Sequence, residues 1–212
     1  KGEVKCLSLN QASAGFAVLP LANNGSITLL NGITSGAGFF NRVGRKISLK
    51  SLRFIFNVTN ITAARSTGPD YGRFMIIYDR QTNGALPALA DFIQDTDSGG
   101  LNTTNVSAGP NLNNRDRFTI LRDYKVNLPS ITNTAIGVPS QSFPDMVEGE
   151  LGNHVEFYIP LKGLETVYQA DTALIGAIAS GAIYFMCMSG SPPASEGFNI
   201  NSWHSRLRYW DT

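Results

Sequence analysis

Two histidines, His154 and His204, are all the imidazole this 212-residue chain offers for acid–base or metal chemistry. His154-Val155-Glu156 has the H-x-E spacing of a zinc deaminase, but no P-C-x-x-C follows to complete the ligand set. None of the serines stands in a G-x-S-x-G elbow, so a hydrolase nucleophile has no frame. Asp95-Thr96-Asp97-Ser98-Gly99-Gly100 opens like a calcium loop, with acids at positions one and three and glycine at six. Position twelve is Val106, where a bidentate glutamate belongs, so the segment reads as a polar turn or as a weak cation site shared with a neighbouring chain. Cys6 and Cys187 are too few for a disulfide framework or a zinc cluster. Five Asn-x-Ser/Thr triplets, at Asn24, Asn57, Asn60, Asn102 and Asn105, are what chance provides in a chain this rich in Asn, Ser and Thr. No phosphate loop or dinucleotide fingerprint occurs. These residues describe a protein that is not an enzyme and holds neither cofactor nor metal.

Charge is the next chemistry available. The formal net charge of +1 hides an asymmetry: residues 1–130 carry 14 Lys/Arg against 8 Asp/Glu, whereas residues 131–212 carry 3 against 8. Arg42–Arg53 (RVGRKISLKSLR) contains five basic residues and no acid. Such a run serves a polyanion, or a solvated strand edge, or salt bridges between subunits to the acidic C-terminal third.

The elements that position these residues are strands. Hydrophobic residues make up 42% and charged residues 16%, and Gly, Asn, Ser, Thr and Pro are plentiful, which favours turns over helix interiors. Strand patterns are expected at Glu3–Leu9, Lys46–Val58, Tyr71–Tyr78, Arg117–Leu128, His154–Ile159, Ala182–Met188 and Ser205–Trp210, with a short one at Leu164–Tyr168. In Lys46–Val58 the apolar positions change phase after Leu49, which predicts a bulge near Lys50-Ser51. In Arg117–Leu128 the residues Phe118, Ile120, Tyr124, Val126 and Leu128 are expected on one face. Only Leu86–Gln94, after Pro87, has helical character. No apolar tract is long enough for a spanning helix, and no signal peptide opens the chain. The expected fold is all-β: an eight-stranded antiparallel jelly-roll sandwich with long loops and one short helix, formed as a single domain over residues 1–212.

Taken in order, these segments resemble the capsid proteins of small circular single-stranded DNA viruses that encode a replication initiator, the group of the circoviruses and geminiviruses. The similarity rests on Gly2–Leu7 (GEVKCL) at the first strand and on Asn41–Ile47 (NRVGRKI) leading into Leu49–Leu52 (LKSL). It continues through Phe74–Leu86 (FMIIYDRQTNGAL) before Pro87, Asn113–Leu121 (NNRDRFTIL) and Leu207–Thr212 (LRYWDT). It covers almost the whole chain. Members of the group begin with an Arg/Lys-rich arm that contacts the genome and directs nuclear import. No such arm precedes Lys1 here, so the chain reads as the ordered shell region alone.

The resemblance implies a self-assembling subunit of a T=1 icosahedral shell around a circular single-stranded DNA genome, in the virion and, during assembly, in the host nucleus. Its partners are further copies of itself, the genome and a host receptor, with no membrane. The residues expected to neutralise phosphates are Lys1, Lys5, Arg42, Arg45, Lys46 and Lys50, through contacts that are salt-dependent and blind to base sequence. Trp203, Tyr209 and Trp210 are candidates for base stacking or for the core. Two other readings remain at this point: the coat protein of a small satellite-like RNA virus, and a jelly-roll carbohydrate-binding module. A cupin-type enzyme is set back by the shortage of histidine.

Overall fold

A computed structural model of the chain describes residues 3–10, 19–21, 25–60, 70–96, 102–103, 105–128, 153–190 and 198–211. Two antiparallel sheets face one another. In the larger, β13 (Phe198–Asp211) is central. It pairs along one side with β1 (Val4–Asn10) and β2 (Leu19–Leu21), and along the other with β4 (Lys46–Asn60). The far side of β4 is shared by β9 (Asn153–Pro160) and β10 (Glu165–Tyr168), with β11 (Ile178–Ser180) beyond β10. The smaller sheet runs β3 (Ser26–Leu29), β12 (Ala182–Ser189), β5 (Asp70–Asp79), β8 (Phe118–Leu128). Two four-stranded orders, β1-β13-β4-β9 and β3-β12-β5-β8, with neighbours distant in sequence, make the jelly roll. The segment between β5 and β8 carries α1 (Leu89–Phe92) and a small hairpin of β6 (Asp95–Thr96) and β7 (Asn102–Thr103). The helix is much shorter than Leu86–Gln94. Asp91 caps it by accepting from the Ala88 N–H at 2.8 Å, and Ile93 is already extended.

Bulges decide which side chains reach the core. Tyr209 pairs with Leu49 and Arg208 with Ser51, so Lys50 is the unpaired extra residue in β4. That insertion keeps Ile47 and Leu49 on the same inner face as Leu52, Phe54, Phe56 and Val58, all fully buried. The phase change expected near Lys50-Ser51 is this bulge. In β8 the one-face expectation is corrected. Ile77 pairs with Ile120 and Ile76 with Arg122, so Leu121 is inserted. Phe118 and Ile120 therefore face away from Tyr124 and Val126. The rings confirm it: Tyr124 meets Phe157 of the opposite sheet at 5.3 Å, whereas Phe118 meets Phe92 of α1 at 4.8 Å.

Between the sheets the core is aromatic. Phe54 lies 4.4 Å from Phe185 and Phe56 lies 4.7 Å from Phe74, ring centre to ring centre, each pair joining the two sheets. Burying each ring stabilises the fold by about 2–3 kcal/mol, and such ring pairs add roughly 1 kcal/mol. Cys187 sits on this inner face with its thiol near the Ser26 carbonyl, while Cys6 is half-buried on β1, in the other sheet.

The two outer faces differ. On the smaller sheet, the described residues between Arg80 and Arg117 fold over the outer side, so β5 and β12 are buried on both faces and read as nearly unbroken apolar runs. Two charge pairs, each with one buried member, seal that layer. Arg73 grips Asp123 with two bonds of 3.0 and 2.7 Å and donates to the carbonyls of Val106 and Ala108, the latter at 2.5 Å. Arg117 grips the fully buried Asp79 with bonds of 3.0 and 2.9 Å, and Asp79 also accepts from Tyr184 and from the Gln81 N–H. The larger sheet's outer side has no such layer among the described residues, and β13 alternates buried and exposed along Trp203–Tyr209.

Removing one member of a buried pair leaves an uncompensated charge, typically at a cost of about 3–5 kcal/mol. Arg117→Met is therefore expected to lower the urea midpoint sharply, and adding Asp79→Asn to the same chain to restore much of the loss. Equal midpoints for wild type and Arg117→Met would show that the pair does not hold the layer.

Candidate nucleic-acid interface

The six expected phosphate contacts divide. Lys1 lies outside the described residues. Lys5, on β1, turns inward: it is 4% exposed, with Nζ 2.8 Å from Asp211 Oδ2 and 3.1 Å from the Asn41 carbonyl. Arg42 is 1% exposed. It donates to the carbonyls of Ile33, Gly44 and Ala170 and lies 4.1 Å over the Tyr168 ring. The expectation that Lys5 and Arg42 face a phosphate surface is thus corrected. Both are enclosed by acceptors of their own chain, which a buried cation requires. Arg45 is exposed, Lys46 is exposed and paired with Glu165 at 2.7 Å, and Lys50 is half-buried with Nζ 5.3 Å from the Trp210 ring centre.

The charge asymmetry resolves inside one subunit. Lys5 pairs with Asp211, Lys46 with Glu165 and Arg53 with Glu156, and Arg42 lies 3.8 Å from Asp171. Every described acid of the C-terminal third thus has a basic neighbour from the N-terminal half.

Two cations that the sequence analysis passed over stand in the open. Arg206 and Arg208 project from β13 on the larger sheet's outer face, in line with His204 and Trp210. Alternate side chains of a strand stand about 6.8 Å apart, so the four form a regular row. Among the described residues neither arginine has an ion-pair partner; Arg206 donates to Ser8 Oγ at 3.1 Å. Across on β1, Cys6 is opposite Arg208 and Ser8 opposite Arg206. Val4, Cys6, Arg206 and Arg208, with Phe39 from the β3–β4 connection and a part of Lys5, line a cavity of about 240 Å³. Leu207 and Tyr209 point inward between the arginines, and that alternation in SRLRYW was the signal available in the sequence. Trp203 and Tyr209 belong to the core, and Trp210 alone of the three stacking candidates is on the open face.

Two ionisable groups register the local field. Burial pushes the His204 imidazole below its usual pKa, and the Arg206 and Arg53 guanidinium groups push it further. Burial pushes the Asp211 carboxyl up. Donation by Lys5 and by the N–H groups of Val43 and Gly44 outweighs this, and its pKa lies below the ordinary carboxylate value. His154 bonds Asn57 Oδ1 at 2.7 Å, and Glu156 is engaged by Arg53. Among the described residues no three His, Cys, Asp or Glu side chains converge as a metal site would need; Asp97–Gly100 of the acidic turn lie outside them.

Exposed large apolar side chains gather on the connections: Phe39, Phe40 and Val43 between β3 and β4, Leu86 and Leu112 between β5 and β8, and Leu174 between β10 and β11.

Compared with known families, residues 3–206 match the model of the geminivirus coat protein/nuclear export factor BR1 family. The chain belongs to that family. It is 26% identical over 179 residues to the capsid protein of Miscanthus streak virus (isolate 91), an alignment covering 82% of this chain and 67% of that protein. Among solved structures it resembles apo New Jersey polyomavirus VP1 (9% identity, TM-score 0.33, 98% of both chains). It also resembles the unassembled pentamer of Merkel cell polyomavirus VP1 (8% identity, TM-score 0.34, 99% of this chain and 96% of that one). The chain is a coat protein of a single-stranded DNA virus, a structural subunit of the virion, and the exposed connections and open sheet are the surfaces such a subunit has available for contacts.

The Asp211 carboxylate, with its depressed folded pKa, contributes stability that is complete above its unfolded pKa of about 3.9 and is lost as pH falls through the lower folded value. The drop in urea midpoint between pH 7 and pH 3 is expected to be smaller in Asp211→Asn than in wild type; an unchanged drop would remove Asp211 from acid unfolding. For His204, NMR titration of Arg206→Ala is expected to show the imidazole pKa moving up toward 6.5, and an unmoved value would mean that the arginine field does not reach it.

Proposed function

We propose that the chain is the single-domain shell subunit, over residues 1–212, of a T=1 icosahedral particle enclosing a circular single-stranded DNA genome, assembled in the host nucleus. The observation that carries this reading is the open outer face of the larger sheet, where Arg206 and Arg208 stand without acids among the described residues. In this reading that face lines the particle interior. Arg45, Lys46 and Lys50 border it, and these cations, together with Lys1, which lies outside the described residues, neutralise phosphates without reading base sequence. Phe40, Val43 and Leu174, on connections between strands, supply subunit contacts. Heterologous contacts of this kind close into shells when the rotation between copies closes. Family membership supports a coat role; the row of unmatched cations supports a polyanion inside.

The deciding measurement is electron microscopy with light scattering on the expressed protein, followed by extraction of nuclease-protected nucleic acid. The expected result is closed particles of one diameter, with the mass of a single T=1 shell, that yield DNase-sensitive, RNase-resistant circles. A monomer at every salt and pH tried, or particles holding RNA alone, would overturn it.

A further inference from the structure

The cavity beside β1 combines three features. It has an aromatic wall, Phe39, which is 58% exposed. It has two arginines, Arg206 and Arg208, for which no acid partner occurs among the described residues. Its floor, Val4 and Cys6, is apolar and half-buried. A volume of about 240 Å³ exceeds the roughly 150 Å³ that accommodates a benzene-sized ring, so one planar base fits with its phosphates outside. The chain just after Phe39 is anchored: Asn41 bonds Thr34, the Asn41 carbonyl accepts from Lys5, and Arg42 donates to the Ile33 carbonyl.

Resting on the genome-lining reading above, we infer that this cavity is a single-nucleotide subsite: an unpaired base stacks on Phe39 while Arg206 and Arg208 hold the flanking phosphates. An unpaired base has a free face for stacking, and a duplex does not, so the site selects single strands without selecting sequence. An acidic segment of a second copy is the competing occupant. The binding and assembly measurements below distinguish that occupant from a nucleotide.

The test is a salt series of binding by fluorescence anisotropy, with a labelled oligo-dT and an abasic oligomer of the same length. Removing one stacking contact is expected to weaken oligo-dT binding about 5- to 100-fold in Phe39→Ala, with the salt slope unchanged and Phe39→Trp close to wild type. The abasic oligomer is expected to bind wild type no better than oligo-dT binds Phe39→Ala. Arg206→Ala and Arg208→Ala are each expected to reduce the slope of log affinity against log salt by about 0.7. If Phe39→Ala or the abasic backbone binds as tightly as the reference pair, the subsite is overturned while the genome-lining reading stands. If wild type binds no oligomer at all, that reading fails as well. If the variants bind normally but no longer assemble, the cavity is a contact between copies and the inference is overturned.

Discussion

The buried guanidinium of Arg42 fixes one end of the sandwich. A cation cannot sit in the interior without acceptors, and this one collects three carbonyls from separate stretches of chain: Ile33 and Gly44 from the β3–β4 connection, Ala170 from beyond β10. Tyr168 lies flat beneath it, and the Tyr168 hydroxyl donates to the Asn31 carbonyl. Asn31 is itself fully buried, bonding Thr166, the Gly181 carbonyl and the Ile183 N–H. Lys5 and Asp211 extend the network to the first and last strands, and Asp211 returns to the backbone at Val43 and Gly44. The connection that carries the most exposed aromatic side chains is thus tied down from several directions at once.

That arrangement explains why a family of shell proteins is served by a sandwich with unequal faces. The smaller sheet is closed on both sides, with Arg73–Asp123 and Arg117–Asp79 holding the described residues between Arg80 and Arg117 against it. Its chemistry is finished within the subunit. The larger sheet is finished on one side only, and its outer side keeps arginines that no described acid pairs with. Strand pairing in this sheet brings basic residues of the N-terminal half against Glu156, Glu165 and Asp211, and among the described residues Arg206 and Arg208 of β13 are left over.

Much of this was legible in the residues, and the failures have physical causes. The long strands and the bulge at Lys50 were readable because apolar phase is a direct record of which side faces a core. The bulge at Leu121 was hidden because β8 has apolar residues on both sides of it, one set for the core and one for the layer carrying α1. The strand Ser26–Leu29 is only four residues inside a Gly/Asn-rich stretch and left no pattern. Lys5 and Arg42 were misplaced because their acceptors, Asp211 and scattered carbonyls, are remote in sequence or are backbone. Arg206 and Arg208 went unnoticed because they sit in the acidic part of the chain, where local composition masks their shared face.

The two cysteines have unlike fates. Burial pushes the Cys187 thiol up to about 12, so it carries almost no thiolate at neutral pH and is walled off by the aromatic core. Cys6 is half-buried at the rim of the cation row, on a strand of the opposite sheet. Of the two thiols, Cys6 alone is therefore within reach of a reagent in the folded subunit, and a thiol-reactive dye is expected to mark each copy once.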